Sequence, residues 1–581
     1  MPYAGYAFIL LVCAVVALVA FGKVGSKAYP YLLYGIAAGM VLMTTLAGPH
    51  LVGSDIHIEY YYAQLYSGGD VWPSLWHIVQ ETAIANTYIA PLIHKALHIP
   101  LLWVYKVVFP LMFASVPVLL YFIYRKWLNE KNAFLAAMFF IAFPAFLLEL
   151  PTIARQMVAE VFLAAFLYLI LVSNLRLRYK APLAACCGML AILTHLATGI
   201  IILILLTVSF FAKPLLRIRE GLPTLVTGAI LVVLLAGSIA YFSNAASGAA
   251  IYKLGGLYDS FAPEAYELNL QMAPKNTVAP QPIGQTIYDP TEPEAQEEGA
   301  TVGPTEPEAQ GEETTVRSTP PWYARYETLM KAGLGFDFLE SSALGKLFRI
   351  LQWAVILLIP IGLWLMRKTK GYWLFASGSI VILALCLIPG FSSILNITRF
   401  FHLALFLIAP ALVVGGLWVC RKPQTLALIV LIPYFLLTSG FIFEVTQQKD
   451  VSKPNMPYSI ALSDHRMDLS ATFTGNDLAV RDWIAENQTT FPIYGDQFGV
   501  LLIAEVIGQR PGINIKLPRS AGERPDPPFY LFVRERNAWD NLFTVWAGVG
   551  CRRYVTPESY GIDIDENIIY RVGDARVLEV R

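Results

Sequence analysis

Charged residues are scarce in this sequence. Only 14% of its 581 residues are Asp, Glu, Lys or Arg, and 56% are apolar, whereas roughly a quarter of the residues are charged in soluble proteins. The mean hydropathy is +0.55. This composition excludes a soluble globular protein and predicts a polytopic α-helical membrane protein.

An excess of basic charge is also missing. The sequence has 42 Lys and Arg residues against 42 Asp and Glu residues, so its formal net charge is zero. Nucleic-acid-binding proteins attract phosphates with a positive field. We therefore expect no nucleic-acid partner.

Cysteines and nucleotide-binding motifs are few or absent. Five of the six cysteines lie in or beside apolar runs, which leaves Cys551 alone in the polar C-terminal part and excludes a disulfide framework there. No P-loop pattern is present. The sequence thus gives no support to an ATP-driven pump.

Long apolar runs dominate what is present. Each approaches or meets the roughly 20 residues that span a bilayer, and they lie near 3–22, 28–47, 101–124, 133–150, 157–173, 221–243, 345–366, 372–389, 400–419 and 424–443. The run 181–212 is too long for one straight span and has basic residues at both ends, so it should be a hairpin that turns near 194–199. The sequence predicts about twelve membrane segments.

Basic clusters occur in every second gap between these segments. Under the positive-inside rule such gaps are cytoplasmic, and the clusters are Lys23/Lys27, Arg125/Lys126/Lys131, Arg176/Arg178/Lys180, Lys213/Arg217/Arg219, Arg367/Lys368/Lys370 and Arg421/Lys422. The alternate gaps, including 55–95 and 151–156, should be extracytoplasmic. No basic residue precedes the first run, so we expect a retained helix with the N-terminus and the C-terminal domain outside an integral cell-membrane body.

Two domains follow from this pattern. Residues 1–443 should form the transmembrane domain, with a first large external loop at 48–100 and a second at 244–344, where the Pro/Glu/Thr repeat within 274–320 should be disordered. Residues 444–581 should form an extracytoplasmic α/β domain. Its predicted elements are a helix at 477–487 behind Asn476 and strands at 491–494, 529–533 and 568–572.

The first external loop contains the sequence Gly-Ser-Asp-Ile-His-Ile-Glu-Tyr at 53–60. An extended segment would put Asp55, His57 and Glu59 on one side, and a helix would put Asp55 and Glu59 on one face. The alternative is that Asp55 only caps a helix running to Tyr66. At the lipid boundary, desolvation should raise the carboxylate pKa towards that of a useful base. The three residues could also hold a divalent cation, although their spacing is not diagnostic.

The sequence resembles the GT-C superfamily of glycosyltransferases in three features. These are an acidic residue in the first external loop, an amphipathic loop at 71–96 and a body of many helices. That group includes protein O-mannosyltransferases, oligosaccharyltransferase subunits and aminoarabinose transferases of lipid A. The sequence is most similar to predicted membrane proteins of archaea and bacteria that share the Gly-Ser-Asp-x-His-x-Glu-Tyr loop and an external C-terminal domain. One extra helix, 3–22, precedes the usual first helix.

The resemblance implies that a sugar passes from a polyprenyl-phosphate carrier to an acceptor glycan, lipid or protein at the outer face of the membrane. Asp55 would be the general base, with Glu59 and His57 as support or as metal ligands. Members of the superfamily differ in metal use, so the cofactor stays open.

Four further residues, two arginines and two histidines, are candidates for contact with the donor phosphate. Arginine is the side chain that binds phosphate groups best. Arg399 and Arg155 lie at predicted outer ends of membrane segments, with His402 about one turn deeper than Arg399 and His195 at the hairpin tip. The alternatives are snorkelling boundary arginines and packed, hydrogen-bonded histidines. Two glutamates that flank the Arg155 link, Glu149 and Glu160, could simply pair with Arg155.

Two other classes of function fit about twelve helices. A transporter or flippase of lipid-linked glycans usually has its ionisable groups near the bilayer midplane, whereas these lie at the outer boundary. A polysaccharide polymerase or ligase normally centres on a large late external loop, and the large loop here is mostly of low complexity.

Overall fold

Long apolar helices make up the body of the protein, because a chain within a bilayer must satisfy its backbone hydrogen bonds internally. The structure is a computed structural model that describes residues 2–68, 83–218, 222–245, 333–339, 341–386, 397–447, 457, 459–462, 472–487, 491–508, 514–517, 525, 527–548 and 551–581. Within these ranges, eight helical spans are long and apolar enough to cross a membrane: Tyr3–Ala20, Ser26–Thr45, Leu101–Tyr124, Ala154–Leu171, Leu196–Leu215, Thr224–Tyr241, Ala343–Leu365 and Ile397–Cys420.

The remaining predicted segments are shorter, bent or more polar. Glu130–Ile141 and Ala145–Thr152 form a pair that is bent by 54°, with Pro144 at the break, where the missing N–H and the proline ring interrupt a continuous helix. Lys370–Leu385 and Pro423–Thr438 are short apolar helices. Leu177–Thr194 is a helix of 18 residues with Arg178 and Lys180 in its first turn. The eight or nine spans among the described residues confirm a polytopic helical membrane protein, and the number of twelve segments stays a prediction.

The hairpin that the charge pattern predicts is present. Helix Leu177–Thr194 and helix Leu196–Leu216 are separated by His195 alone. The two arms are closely apposed next to the turn, because a Cβ added at Gly199 would lie 2.9 Å from the Cα of Ile192. Glycine is therefore required at this position for the tight approach.

The loop that was predicted to be external contains a helix, Asp55–Gly68, called the loop helix below. It is followed by helix Ala90–Leu97. The helical arrangement of the 53–60 motif is therefore the one observed, and the extended arrangement is not.

The C-terminal domain is a small α/β domain, as predicted. Its strands are β1 (Ile493–Gly495), β2 (Asn514–Lys516), β3 (Phe529–Val533), β4 (Phe543–Gly548), β5 (Cys551–Val555), β6 (Ile568–Val572) and β7 (Ala575–Val580). One sheet has the order β2-β1-β3-β7-β6, with β1 parallel to β2 and β3 and the other pairs antiparallel, and β4 and β5 form a separate pair.

Helices Gly475–Glu486, Gly499–Ile507 and Glu535–Asp540 complete this domain. The first is capped by Thr474, in a capping box with Asp477, and not by Asn476 as the sequence suggested. Thr474 is the cap because its hydroxyl accepts a hydrogen bond from the backbone N–H of Asp477.

The loop helix shares a hydrophobic core with the C-terminal domain. Ile58 and Tyr62 are buried in one cluster with Phe473, Ile484 and Leu501. The tight packing extends to Gly508, where an added Cβ would lie 2.9 Å from the Tyr61 ring. The loop helix is thus held between the membrane body and the C-terminal domain. The predicted repeat within 274–320 lies outside the described residues.

Candidate active site

Two carboxylates of the loop helix converge on one arginine. Arg155 Nη2 donates to Asp55 Oδ2 at 2.8 Å, and Arg155 Nη1 donates to Glu59 Oε1 at 2.8 Å. The backbone N–H of Arg155 also donates to Glu59 Oε2 at 3.1 Å. Since residues four apart share a helix face, the predicted convergence of Asp55 and Glu59 is present, and Arg155 completes it.

Gly53 brings the loop helix against the segment that carries Arg155. Its φ of +123° suits glycine, and an added Cβ would lie 2.3 Å from Thr152 Cβ. Arg155 follows in the first turn of helix Ala154–Leu171, where the positive end of the helix dipole also favours carboxylates. Gly53 of the motif is thus explained by backbone conformation and by close contact.

Replacing Gly53 by Ala should lower stability by about 1–3 kcal/mol from backbone strain, with a further loss from the contact with Thr152. The matched control is Gly25→Ala, because Gly25 has a φ of −68° and open space around its Cα. Thermal unfolding of both variants in detergent measures the difference. Equal melting temperatures would contradict this account of Gly53.

Asp55 and Glu59 differ in exposure and in ionisation. The Asp55 side chain is 33% exposed, whereas Glu59 is 0% exposed. Burial raises the pKa of Asp55, but the charges of Arg155 and Arg399 outweigh it and hold that pKa below its usual value. Burial, aided by the Asp55 charge and opposed by Arg155, raises the pKa of Glu59 to about 7. The expected rise in the Asp55 pKa is therefore wrong, because Arg155 was not foreseen as its partner.

The raised pKa of Glu59 makes stability depend on pH. Because this pKa is above the ordinary value of 4.5, the folded state binds the proton more tightly than the unfolded state does. The contribution of Glu59 is fully present below about pH 4.5 and is lost as the pH rises through about 7.

We expect the melting temperature of the wild type minus that of Glu59→Gln to be lower at pH 8 than at pH 5. Paired thermal unfolding at these two pH values measures it, and the difference between the proteins isolates Glu59 from other titrating groups. Parallel pH profiles of the two proteins would refute the assignment.

His57 does not line this site. It lies two residues from Asp55, which on a helix places it about 200° around the axis, and it is fully buried against Glu505 and Phe473 of the C-terminal domain. The predicted grouping of all three motif residues is wrong for His57. For the same reason Asp55, His57 and Glu59 do not form a metal site, and the Arg155 guanidinium bridges the two carboxylates.

Arg399 pairs with a different acid. Its Nε lies 3.3 Å from Glu149 Oε2, and Thr398 donates to Glu149 Oε1 at 2.6 Å. The Arg399 side chain is 22% exposed, and no acceptor among the described residues contacts its Nη groups. Glu149 therefore holds Arg399 and not Arg155, and the Arg399 fork remains available to an anion.

His402 and Glu160 form a buried pair away from solvent. His402 Nε2 is 3.1 Å from Glu160 Oε2, and Gln156 donates to Glu160 Oε1 at 3.1 Å. The His402 ring packs on Phe140 with centroids 4.3 Å apart. His402 is 0% exposed, and its contact with the donor phosphate stays a prediction. Glu160 does not pair with Arg155 either.

His195 and Arg155 each have hydrogen-bond partners within the protein. His195 is buried at the hairpin tip, where its Nδ1 lies 2.9 Å from the Thr198 hydroxyl, as in the alternative of a packed histidine. It is nevertheless close enough to Arg155 and Arg399 to interact with them electrostatically. Arg155 is only 11% exposed and is paired with two carboxylates, so Arg399 is the better candidate for binding a phosphate.

Sequence reasoning missed His50 and Glu505, which contact each other at 2.6 Å. Glu505 lies in an apolar helical run of the C-terminal domain, and a charged residue on the buried face of such a run is the signal that could have identified it. Nothing in the sequence indicates which residue it meets 455 positions away.

Comparisons with known proteins found a family model and solved structures that are similar to this chain. No curated protein matches the sequence at a significant level. The crystal structure of the Archaeoglobus fulgidus oligosaccharyltransferase, a complex with Zn and sulfate, is similar at a TM-score of 0.43 and 13% identity, and the alignment covers 91% of this chain and 74% of that chain. A family model described as "Predicted membrane protein (DUF2206)" matches residues 339–578, so the last helices and the C-terminal domain are similar to a family of predicted membrane proteins.

Proposed function

We propose that this protein transfers a sugar from a polyprenyl-phosphate carrier to an acceptor hydroxyl or amide at the outer face of the membrane. The observation that carries the proposal is the Asp55–Arg155–Glu59 group, in which Asp55 alone is substantially exposed. Arg399 lies near enough to lower the Asp55 pKa and has its Nη groups available. A base and a cation are thus close to each other in a membrane protein.

Asp55 would accept the proton from the acceptor. Its lowered pKa keeps the carboxylate ionised at neutral pH. The acceptor oxygen or nitrogen forms a bond to the anomeric carbon, its proton passes to Asp55, and the bond from that carbon to the phosphate oxygen breaks with its electron pair. Glu59 has both oxygens occupied by Arg155, so its role is to position Arg155.

Arg399 would stabilise the departing phosphate, on which negative charge grows in the transition state. The Nε contact with Glu149 fixes the guanidinium and leaves the Nη pair to bind phosphate oxygens bidentately. Asp55, the proposed proton acceptor, lies in the loop helix. Arg399, the proposed phosphate ligand, lies in helix Ile397–Cys420.

Replacing Arg399 by Leu should lower kcat/KM for the lipid-linked donor by at least about 10-fold, since charged hydrogen bonds contribute roughly 1.5–3 kcal/mol. Arg399→Lys should retain part of the activity because it keeps the charge but loses the fork. Initial rates at varied donor concentration measure the effect. Wild-type kcat/KM in Arg399→Leu would remove Arg399 from the phosphate site.

The function itself is tested with purified protein in proteoliposomes that contain radiolabelled polyprenyl-phosphate sugars and candidate acceptors. We expect donor consumption with the label transferred to an acceptor. A lipid-linked glycan that crosses the bilayer with no donor consumed would instead support the flippase alternative. Extension of a lipid-linked polymer would support the polymerase or ligase.

A further inference from the structure

A second polar cluster lies on the other face of the loop helix, where it meets the C-terminal domain. It consists of His50, His57 and Glu505, all of which are buried. His50 Nε2 is 2.6 Å from Glu505 Oε2, and His57 Nδ1 contacts Oε1 of the same carboxylate. Each residue offers one ligand atom, and the three atoms lie within 4.8 Å of one another.

His50 Nε2 has two close polar neighbours, Glu505 and Arg481. Arg481 Nη1 is 2.8 Å from Glu505 Oε2 and 3.3 Å from His50 Nε2, and a guanidinium can only donate. If His50 Nε2 carries a proton, it donates to Glu505 Oε2, the same oxygen to which Arg481 Nη1 donates. If it carries none, it accepts from Arg481 but directs its lone pair at a carboxylate oxygen 2.6 Å away.

His57 contacts Glu505 through Nδ1. Its Nε2 is buried and has no hydrogen-bond partner among the described residues. Neutral imidazole is the form that binds metal ions.

We propose that His50, His57 and Glu505 bind a divalent transition-metal ion of the zinc class. A cation between the three ligand atoms would receive one lone pair from each ring and one from the carboxylate. Two imidazoles and a carboxylate are an established zinc ligand set, whereas calcium and magnesium prefer oxygen ligands.

The surrounding charges allow such an ion. Arg481 adds a positive charge, but its Nε and Nη2 donate to Asp482 Oδ1 at 2.8 and 2.7 Å. The negative charges of Glu505 and Asp482 thus offset most of the combined positive charge of Arg481 and a divalent ion. Lys106 donates to the backbone carbonyls of Gly48 and His50 at 2.5 and 2.8 Å, which fixes the chain that presents His50.

The ion would connect the first external loop to the C-terminal domain. His50 and His57 precede and begin the loop helix, and Glu505 lies in helix Gly499–Ile507. Asp55 and Glu59 occupy the opposite face, so this metal site is separate from the candidate active site. It does not depend on the proposed sugar transfer.

The test uses the full-length protein in detergent, loaded with Zn²⁺ and then dialysed. We expect about one zinc ion per chain by elemental analysis and a higher melting temperature than in protein treated with a chelator. His50→Ala and Glu505→Gln should each lower zinc content at least about 10-fold, since losing one ligand of a small set removes much of the affinity. His98→Asn is the matched control, because His98 is exposed and adopts a left-handed conformation that asparagine tolerates.

A second measurement on the wild type remains decisive if the ligand variants fail to fold. Co²⁺ added to the metal-free protein should produce visible d–d absorption bands, which zinc then abolishes by displacement. Zinc content far below one per chain together with no cobalt bands overturns the proposal. Equal zinc content in folded His50→Ala, folded Glu505→Gln and wild type overturns it as well.

Discussion

Asp55→Asn is expected to slow sugar transfer by about 10²–10⁴-fold, the usual contribution of a positioned general base. Asparagine keeps the shape of the side chain and can still accept the hydrogen bond that Arg155 Nη2 donates. It cannot take up the acceptor proton. The loss should therefore appear in kcat more than in the KM for the donor.

The measurement is the initial rate of transfer at saturating donor and acceptor. Glu566→Gln is the control, because it removes the charge of an exposed carboxylate in the C-terminal domain and should transfer sugar at the wild-type rate. Size-exclusion profiles and melting temperatures establish that the Asp55 variant is folded. A folded Asp55→Asn protein with full activity would exclude Asp55 as the base. The proposed sugar transfer would still be tested separately, by the consumption of donor in proteoliposomes.

Arg155→Ala is expected to destabilise the protein by about 3–5 kcal/mol, the typical cost of removing one partner from a buried ion pair. Glu59 is 0% exposed, so its carboxylate would lose both its counter-ion and a hydrogen bond without gaining water. Loss of the Arg155 charge would also raise the Glu59 pKa further and favour the neutral form of Glu59. Partial exposure of Asp55 limits its own share of the loss.

A double variant separates stability from chemistry. Arg155→Leu combined with Glu59→Leu removes both buried charges, and such replacements are often close to neutral, so stability should largely return. Activity should not return, because the ion pair that orients Asp55 is lost. Arg178→Ala, at an exposed arginine, should leave the unfolding curve in detergent unchanged. Equal stability of wild type and Arg155→Ala would contradict the structural role of the arginine.

Much of the membrane body could be predicted from local information. The hairpin around His195 followed from basic residues at both ends of a run that was too long for one span. The shared face of Asp55 and Glu59 followed from helical periodicity once a helix was assumed. Both features depend on residues that are close in sequence, where the geometry is fixed by the helix itself.

The pairing of charges could not be predicted in the same way. Arg155 and Arg399 look alike in the sequence, since each lies at a predicted outer end of a membrane segment, yet Arg155 pairs with two carboxylates and Arg399 with one. His57 was assigned to the wrong partners because periodicity alone does not say what covers each face of the loop helix. Its contact, Glu505, lies 448 residues further along the chain.

That separation has a consequence for biosynthesis. The loop helix is made well before Phe473, Ile484 and Leu501, which cover its Ile58 and Tyr62. Until then the nascent protein presents an apolar helix face and two histidines with no Glu505 to meet them. Contacts of such long range form slowly, so chains truncated before residue 473 should insert their membrane helices yet remain prone to aggregation through this exposed face.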